Sequence, residues 1–309
     1  LETVRETRAG SWIRGGKMKI KKSWQSILFD SFNTIFLGCF AMATVLPFLY
    51  VIACSFAPEK EILNRPFFII PSKFQIDTYE YIFSSPTLPR AFLISLFVTV
   101  SGSLTAMFFT LTMAYPLSKK NLIGRNFLLG MVTFTLVFGG GMIPGFLVIK
   151  SLGFIDKYWA LILPGALSTW NLLVVKNFFQ ELPQELEDSA RVDGCTSLGT
   201  FIRIVLPLSM PVIATFTLFY AVGYWNDYRS ALLYATNNKM WPLQLVLRQI
   251  ILMAAGNIDG ATFDQAYTQP PLEGVKNAVI VFGTVPILAV YPFLQKHFVK
   301  GIMIGAIKG

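Results

Sequence analysis

The chain has 309 residues, of which 54% are hydrophobic and only 14% charged, with a mean hydropathy of +0.56. Soluble globular chains carry roughly a quarter charged residues, so composition argues against that class and for a polytopic membrane protein. The formal charge of +9 does not read as a nucleic-acid surface, because of where the basic residues stand. Arg5, Arg8, Arg14, Lys17, Lys19, Lys21 and Lys22 precede the first apolar run. Lys119, Lys120 and Arg125 lie between the second and third, and Lys296, Lys300 and Lys308 follow the last. Basic flanks of this kind mark segments kept on the cytoplasmic side of a membrane.

In chain order, Ile20 to Phe29 mixes lysines with Trp24, Ile27, Leu28 and Phe29. That stretch fits an interfacial helix or an ordinary basic flank equally well. Six apolar runs then approach the roughly 20 residues that cross a hydrocarbon core about 30 Å thick. They cover Phe32 to Cys54, Phe92 to Tyr115, Phe127 to Ile149, Tyr158 to Val175, Val212 to Leu232 and Val275 to Leu294. The predicted fold is therefore all-α, with six transmembrane helices. A basic start and an even number of spans place both termini in the cytoplasm. The connections Ser55 to Ala91 and Leu233 to Glu273 then lie outside. The expected organisation is a basic N-terminal segment (1–31), a six-helix membrane domain (32–294) with a cytoplasmic loop at 180–211, and a short tail (295–309).

Cys39 and Cys54 fall on one predicted helix, about 22 Å apart along its axis, which is beyond disulfide reach. With Cys195 on the cytoplasmic side, all three read as free thiols. Gly139-Gly140-Gly141, with Pro144 and Gly145, interrupts the third run. Such a break serves either a cavity-lining backbone or, the preferred expectation, close helix packing through Gly141 and Gly145.

The loop Leu182-Pro183-Gln184-Glu185-Leu186-Glu187-Asp188-Ser189-Ala190-Arg191-Val192-Asp193-Gly194, continuing to Pro211, is too polar for a span. Pro183 suits a helix first turn, with Glu185 and Glu187 near the positive end of its dipole. Gly194 suits the left-handed residue that closes a helix. Thr196 or Ser197 then caps a second short helix, which Pro207 halts. The result is a helix–turn–helix bracket, with acids on one element and Phe201, Ile202, Ile204 and Val205 on the other. It fits docking into a groove of a soluble partner, where a carboxylate such as Asp188 pairs with an arginine. It also fits a hairpin packed on its own bundle.

Asp188-Ser189-Ala190, three residues, Gly194, nine residues, then Ile204-Val205-Leu206-Pro207 resembles the EAA motif of binding-protein-dependent ABC importer permeases. The sequence departs from that motif in having Asp188 for Glu and Ser189 for Ala, which keeps the charge on a shorter arm. Ala114-Tyr115-Pro116-Leu117-Ser118, Gly223-Tyr224-Trp225-Asn226-Asp227, Trp241-Pro242-Leu243 and the ending from Gln295 to Gly309 resemble the maltose-type, carbohydrate-uptake branch. Within that branch the outer-loop and sixth-span sequences look most like permeases for complex oligosaccharides or polysaccharides, an acidic polysaccharide such as alginate among them.

The resemblance implies a type I importer fold in the bacterial inner membrane. Its implied partners are a second permease subunit, two ATPases that carry ATP and Mg, an extracytoplasmic solute-binding protein, a saccharide and membrane lipid. It assigns ATPase coupling to Glu187, Asp188, Ser189, Ala190, Arg191, Asp193, Gly194, Ile204, Leu206 and Pro207. The chain itself would hold no cofactor and catalyse no reaction.

Sugar sites combine aromatic faces with amide and hydroxyl groups, and polar groups at membrane depth face a cavity or a partner helix. Trp170, Asn171, Tyr220, Tyr224, Trp225, Asn226 and Asp227 are the candidates for such a pathway. His297 has no ligand cluster around it. Asn257-Ile258-Asp259-Gly260 with Asp264 lacks the ligand spacing of a calcium loop. No G-x-x-x-x-G-K-[ST] run is present. An ion-coupled transporter would want buried acids in its spans, and a membrane enzyme would want clustered His, Glu or Asp. Aside from Asp227 near an edge of the fifth, the apolar runs offer neither.

Overall fold

With no water inside a hydrocarbon core, backbone N–H and C=O groups must be satisfied within a helix or a closed barrel, and this chain uses helices. The computed structural model describes residues 24–84, 86–254 and 273–306, and no strand occurs among them. The helices in chain order are α1 (Trp24–Ser55), α2 (Glu59–Asn64), α3 (Asp77–Ser84), α4 (Thr87–Ser118), α5 (Arg125–Val137), α6 (Met142–Ser151) and α7 (Trp159–Ile162). They continue as α8 (Thr169–Glu181), α9 (Gln184–Val192), α10 (Ser197–Thr200), α11 (Leu206–Leu208), α12 (Met210–Asn226), α13 (Arg229–Tyr234), α14 (Leu243–Ala254) and α15 (Glu273–Ala306).

Two units are distinguished, Leu1–Tyr50 and Val51–Gly309. The described part of the first is the helix that opens at Trp24, and nearly every side chain from Trp24 to Leu49 is exposed. Exposed Phe32, Ile35, Phe36 and Phe40 are the surface that lipid tails or another subunit would cover. Trp24 to Phe29 are continuous with this helix, so within the described residues they form no separate interfacial element. Cys39 and Cys54 lie on the same helix and, like Cys195, are not in a disulfide. The early basic residues, Lys308 and the Asn257 to Asp264 stretch lie outside the described residues, as does the side chain of His297.

In the second unit the axis is α4, 32 residues or about 48 Å long at the α-helical rise. It packs against α12, α8 and α14. In lipid, helix association rests on close van der Waals packing and interhelical hydrogen bonds, so small residues mark the contacts. Gly102 of α4 and Gly165 meet the ring of Tyr224 from α12; a Cβ would stand 2.7 Å and 3.1 Å from it, respectively. Thr110 and Tyr220 hydroxyls bond across the same interface at 2.7 Å. Ser95 accepts the Leu243 N–H at 2.8 Å, satisfying one of the orphan donors at the start of α14.

Three of the predicted spans are broken. The third is α5 and α6, bent by 117° across 138–141, where Gly141 has φ +81° and so takes a backbone conformation L side chains avoid. A Cβ at Gly145 would meet nothing within 4 Å, and one at Gly141 only Pro144. The glycines therefore serve the bend, and the expected close packing through them is not found among the described residues. The fourth span is α7, a 3₁₀ turn (Leu163–Gly165) and α8, bent by 51°. The fifth ends at Asn226 rather than Leu232, because Asp227 starts a turn into α13. The sixth continues to Ala306, well past Leu294. The long connection before it is also partly helical, in α14.

Two of the connections between helices are tied by carboxylates. Glu61 of α2 accepts from the Ser72 N–H at 2.9 Å and the Ser72 hydroxyl at 2.8 Å, and pairs with Arg65. Asp156 accepts from the N–H of Thr236 at 2.7 Å, that of Asn237 at 3.0 Å, and the Thr236 hydroxyl. Its own N–H bonds Tyr234 O at 3.0 Å. The Thr236 hydroxyl, followed by the backbone donors, holds the Asp156 carboxyl below its ordinary pKa of 3.8.

Candidate functional site

The bracket forms as a helix, a closed turn and a second helical run. Pro183 is the N-cap residue of α9 rather than part of its first turn. At the other end the Cys195 N–H bonds Ala190 O at 2.9 Å and the Gly194 N–H bonds Arg191 O at 3.0 Å. This is a Schellman closure, which needs a left-handed residue at Gly194, and Gly194 has φ +79°. Space is not the issue there, since a Cβ would meet nothing within 4 Å. Thr196 then caps α10, its hydroxyl accepting from the Gly199 N–H at 3.1 Å.

One expectation needs correction. Pro207 does not halt the second helix, which runs on through a π-helical turn (Phe201–Val205) into α11 and ends at Leu208. The wider turn accommodates a proline that has no N–H to give. The break falls at buried Ser209, whose hydroxyl bonds Val205 O at 2.6 Å. Pro211 follows two residues later, and the chain bends by 81° into α12.

Within the bracket the side chains divide into two sets. Glu187 and Ala190 are buried, and Glu187 pairs with Lys119, the C-cap residue of α4. The Lys119 ammonium also lies 4.5 Å from the centre of the Tyr115 ring. Tyr115 stacks on Phe201 at 4.7 Å, and Phe179 meets both rings edge-on. Gln180 of α8 donates to Ser118 O at 3.2 Å. Val205 is fully buried, Ile204 and Leu206 are half-buried, and Pro207 is exposed.

The second set faces outward. Asp188 is 59% exposed, with Arg191 of the next turn 3.9 Å away, a surface pair worth little. Asp193 is exposed, and exposed Ser189 returns its hydroxyl to Glu185 O at 2.8 Å. Val192, Leu198 and Ile202 are 88%, 66% and 53% exposed. Between this face and the end of α4 lies a groove of about 500 Å³, lined by Tyr115, Pro116, Leu122, Arg191, Leu198 and Phe201. The arrangement offers a charged, apolar-edged docking surface rigidly joined to a long helix. Lys119 was missed as a site residue because a basic residue after a span already has a topological explanation.

The pathway candidates separate differently. Tyr220 and Tyr224 are buried. The Tyr220 hydroxyl engages Thr110 and accepts from the Ser168 N–H at 3.1 Å. That of Tyr224 donates to Ile162 O at 2.7 Å. The Trp225 indole donates to Gly283 O at 3.3 Å and its ring meets Phe92 edge-on. Asn171 is buried, and its N–H is received by the cap residue Ser168. Asp227 accepts from the N–H groups of Arg229 and Ser230 at 2.9 and 3.2 Å. In this conformation the polar atoms of Tyr220, Tyr224 and Trp225 join separate elements, while the Asn171 N–H and the Asp227 carboxylate serve the caps at the starts of α8 and α13.

Trp170 and Asn226 are exposed. Asn226 borders a groove of about 490 Å³ between α12, α14 and α15, with Tyr228, Gln244, Arg248, Gly283 and Thr284. Its amide donates to Val222 O at 2.9 Å. Sequence reasoning passed over Arg248; an arginine within the apolar run of α14 was the available signal.

A family model described as "Binding-protein-dependent transport system inner membrane component" matches residues 9–304. The chain belongs to this family. It is 57% identical to protein LplC of Bacillus subtilis (strain 168) over 91% of this chain and 95% of that one. It is 51% identical to the polygalacturonan/rhamnogalacturonan transport system permease protein YtcP of the same organism, over 91% and 99%. A bacterial ABC transporter involved in the import of the acidic polysaccharide alginate contains a chain of the same fold. That chain aligns with a TM-score of 0.81 and 29% identity, over 89% of this chain and 98% of its own. The expected type I permease fold is thus found, with its helices broken where prolines and glycines dictate.

Proposed function

We propose that this permease forms half of the translocation pathway for an oligo- or polysaccharide and couples it to ATP hydrolysis on separate subunits through α9 and the turn that follows. The observation that carries the reading is the bracket itself. Its buried set fixes it to α4, and its exposed set presents Asp188, Arg191, Val192, Leu198 and Ile202 together. A partner ATPase with a groove and an arginine would take the apolar edge and the carboxylate. Glu187, Ala190, Gly194, Ile204, Leu206 and Pro207 then transmit its movement rather than touch it, and Ser189 and Asp193 border the contact. ATP and Mg belong to that partner, and this chain carries out no chemistry itself.

The saccharide assignment rests on the relatives, one a polygalacturonan/rhamnogalacturonan transport permease and another part of an alginate importer. A second permease subunit completes the pathway and an extracytoplasmic solute-binding protein delivers the substrate. Membrane lipid covers the remaining apolar surface, and nucleic acid has no part. The basic segments support a cytoplasmic position for both termini and the bracket at an inner membrane, with 32–294 as the membrane domain. Trp170 and Asn226 are the pathway candidates with free surface here; Asn171, Tyr220, Tyr224, Trp225 and Asp227 would join it only if the helices part during transport.

Expression with the neighbouring operon products and assay in liposomes tests this. The expected result is co-purification of an ATPase and a second permease, with hydrolysis stimulated by a binding protein loaded with saccharide. A chain that purifies alone and transports without ATP would overturn it.

A further inference from the structure

The groove bounded by α12, α14 and α15 contains a charge that the helix packing does not use. Arg248 is half-buried. Its guanidinium lies 5.4 Å from the centre of the Tyr228 ring, and no carboxylate within ion-pair distance is found for it among the described residues. The nearest carboxylate in sequence on the facing element, Asp227, is committed to the N–H groups that open α13. A partly desolvated arginine without a counter-ion is costly unless something completes it. The same groove is lined by Asn226, Gln244 and Thr284, set among Leu247, Ile251 and Ile287. The Asn226 amide donates to Val222 O and the Thr284 hydroxyl to Ile280 O, which leaves their oxygens able to accept. The volume of about 490 Å³ lies in the range of small-molecule sites.

The close approach that shapes this groove is specific. Gly283 donates no side chain to it; a Cβ there would stand 2.6 Å from Leu247 Cδ1, and its carbonyl receives the Trp225 indole. The floor is therefore backbone and leucine, and the polar groups stand around it. A planar, doubly donating cation against an aromatic face, with amides and a hydroxyl alongside, matches a carboxylate carried on a hydroxyl-rich ring.

We propose that this groove is a uronate subsite of the pathway, in which Arg248 receives the carboxylate of an acidic sugar and Asn226, Gln244 and Thr284 its hydroxyl groups. This rests on the saccharide reading above and narrows it to an anionic class. The test uses the assembled importer in liposomes with its binding protein, supplied with trigalacturonate and, separately, with its methyl ester. Wild type, Arg248→Gln and Arg248→Lys are compared after equal recovery of the complex is verified. The expected result is a fall of about tenfold in the acid-to-ester ratio of stimulated hydrolysis for Arg248→Gln, with most of the ratio kept in Arg248→Lys. An unchanged ratio in Arg248→Gln, or equal loss in the glutamine and lysine variants, would overturn the subsite alone. Hydrolysis that in wild type responds to a neutral oligosaccharide but to neither of these would overturn the subsite alone, and hydrolysis that responds to no saccharide would overturn the saccharide reading with it.

Discussion

The bracket at one end of α4 and the aromatic cluster around Tyr224 near its middle are both built from residues that a motif reading selects together. In each, the structure divides them by what their polar atoms are doing. In the bracket, Glu187 is buried against Lys119 while Asp188, one residue on, is 59% exposed with only a long contact to Arg191. In the cluster, the hydroxyls of Tyr220 and Tyr224 are spent on neighbouring backbone and side chains, while Asn226 stands on an open groove. Proximity in sequence therefore says little about role. A residue whose donors and acceptors are already matched holds geometry; one left exposed awaits a partner.

If that division is right, substitutions in the holding set should unsettle the fold most. Gly102→Val is expected to have the largest effect. The Tyr224 ring stands 2.7 Å from where a Cβ would go, and overpacking a tight interface costs about 1–3 kcal/mol. Thermal unfolding in detergent should show a clear drop, and an unchanged midpoint would mean that α4 and α12 are not so closely joined. Gly194→Val comes next, at about 1–2 kcal/mol for a side chain forced into left-handed backbone. Because nothing crowds that position, Gly194→Asn should recover part of the loss, and equal loss in both variants would contradict the conformational explanation.

Glu187→Gln and Lys119→Gln should each be felt, with a coupling near 1 kcal/mol in a double-mutant cycle. That figure is discounted because the Lys119 side chain is 30% exposed. Additive effects would mean that the pair does not fix the bracket to α4. Smaller again is a pH effect at the Asp156 latch. Its folded pKa lies below the ordinary 3.8, so its contribution is present at neutral pH and is lost as pH falls through the lowered folded value. Hydrogen exchange at Thr236 and Asn237 should stay slow until that acid range, and Asp156→Asn should remove the pH dependence there.

Much of the bracket was legible beforehand. The Gly194 turn and the Thr196 cap follow from elementary capping chemistry, and both form as expected. Pro207 misled because a proline stops a regular α-helix, whereas a π-helical turn before it lets the run continue to Leu208. The apolar runs located the membrane helices, and Gly139-Gly140-Gly141 marked the break in the third, but the bends of the other two were not foreseen. Hydropathy is blind to direction, and only Gly141, with its positive φ, shows why α5 and α6 part. The Lys119 pair and the Arg248 groove were hidden for another reason: each joins residues far apart in the chain, and no local pattern encodes that meeting.

The smallest change expected in stability carries the most direct test. Asp188→Lys sits on an exposed face with no close partner, so the folded chain should lose less than about 0.5 kcal/mol. The measurement is ATPase capture by this variant in detergent, followed by uptake in liposomes. The account predicts a normally folded permease that no longer retains the ATPase and no longer imports saccharide. Normal capture and normal uptake by Asp188→Lys would contradict the claim that this face of the bracket is where the ATPase docks.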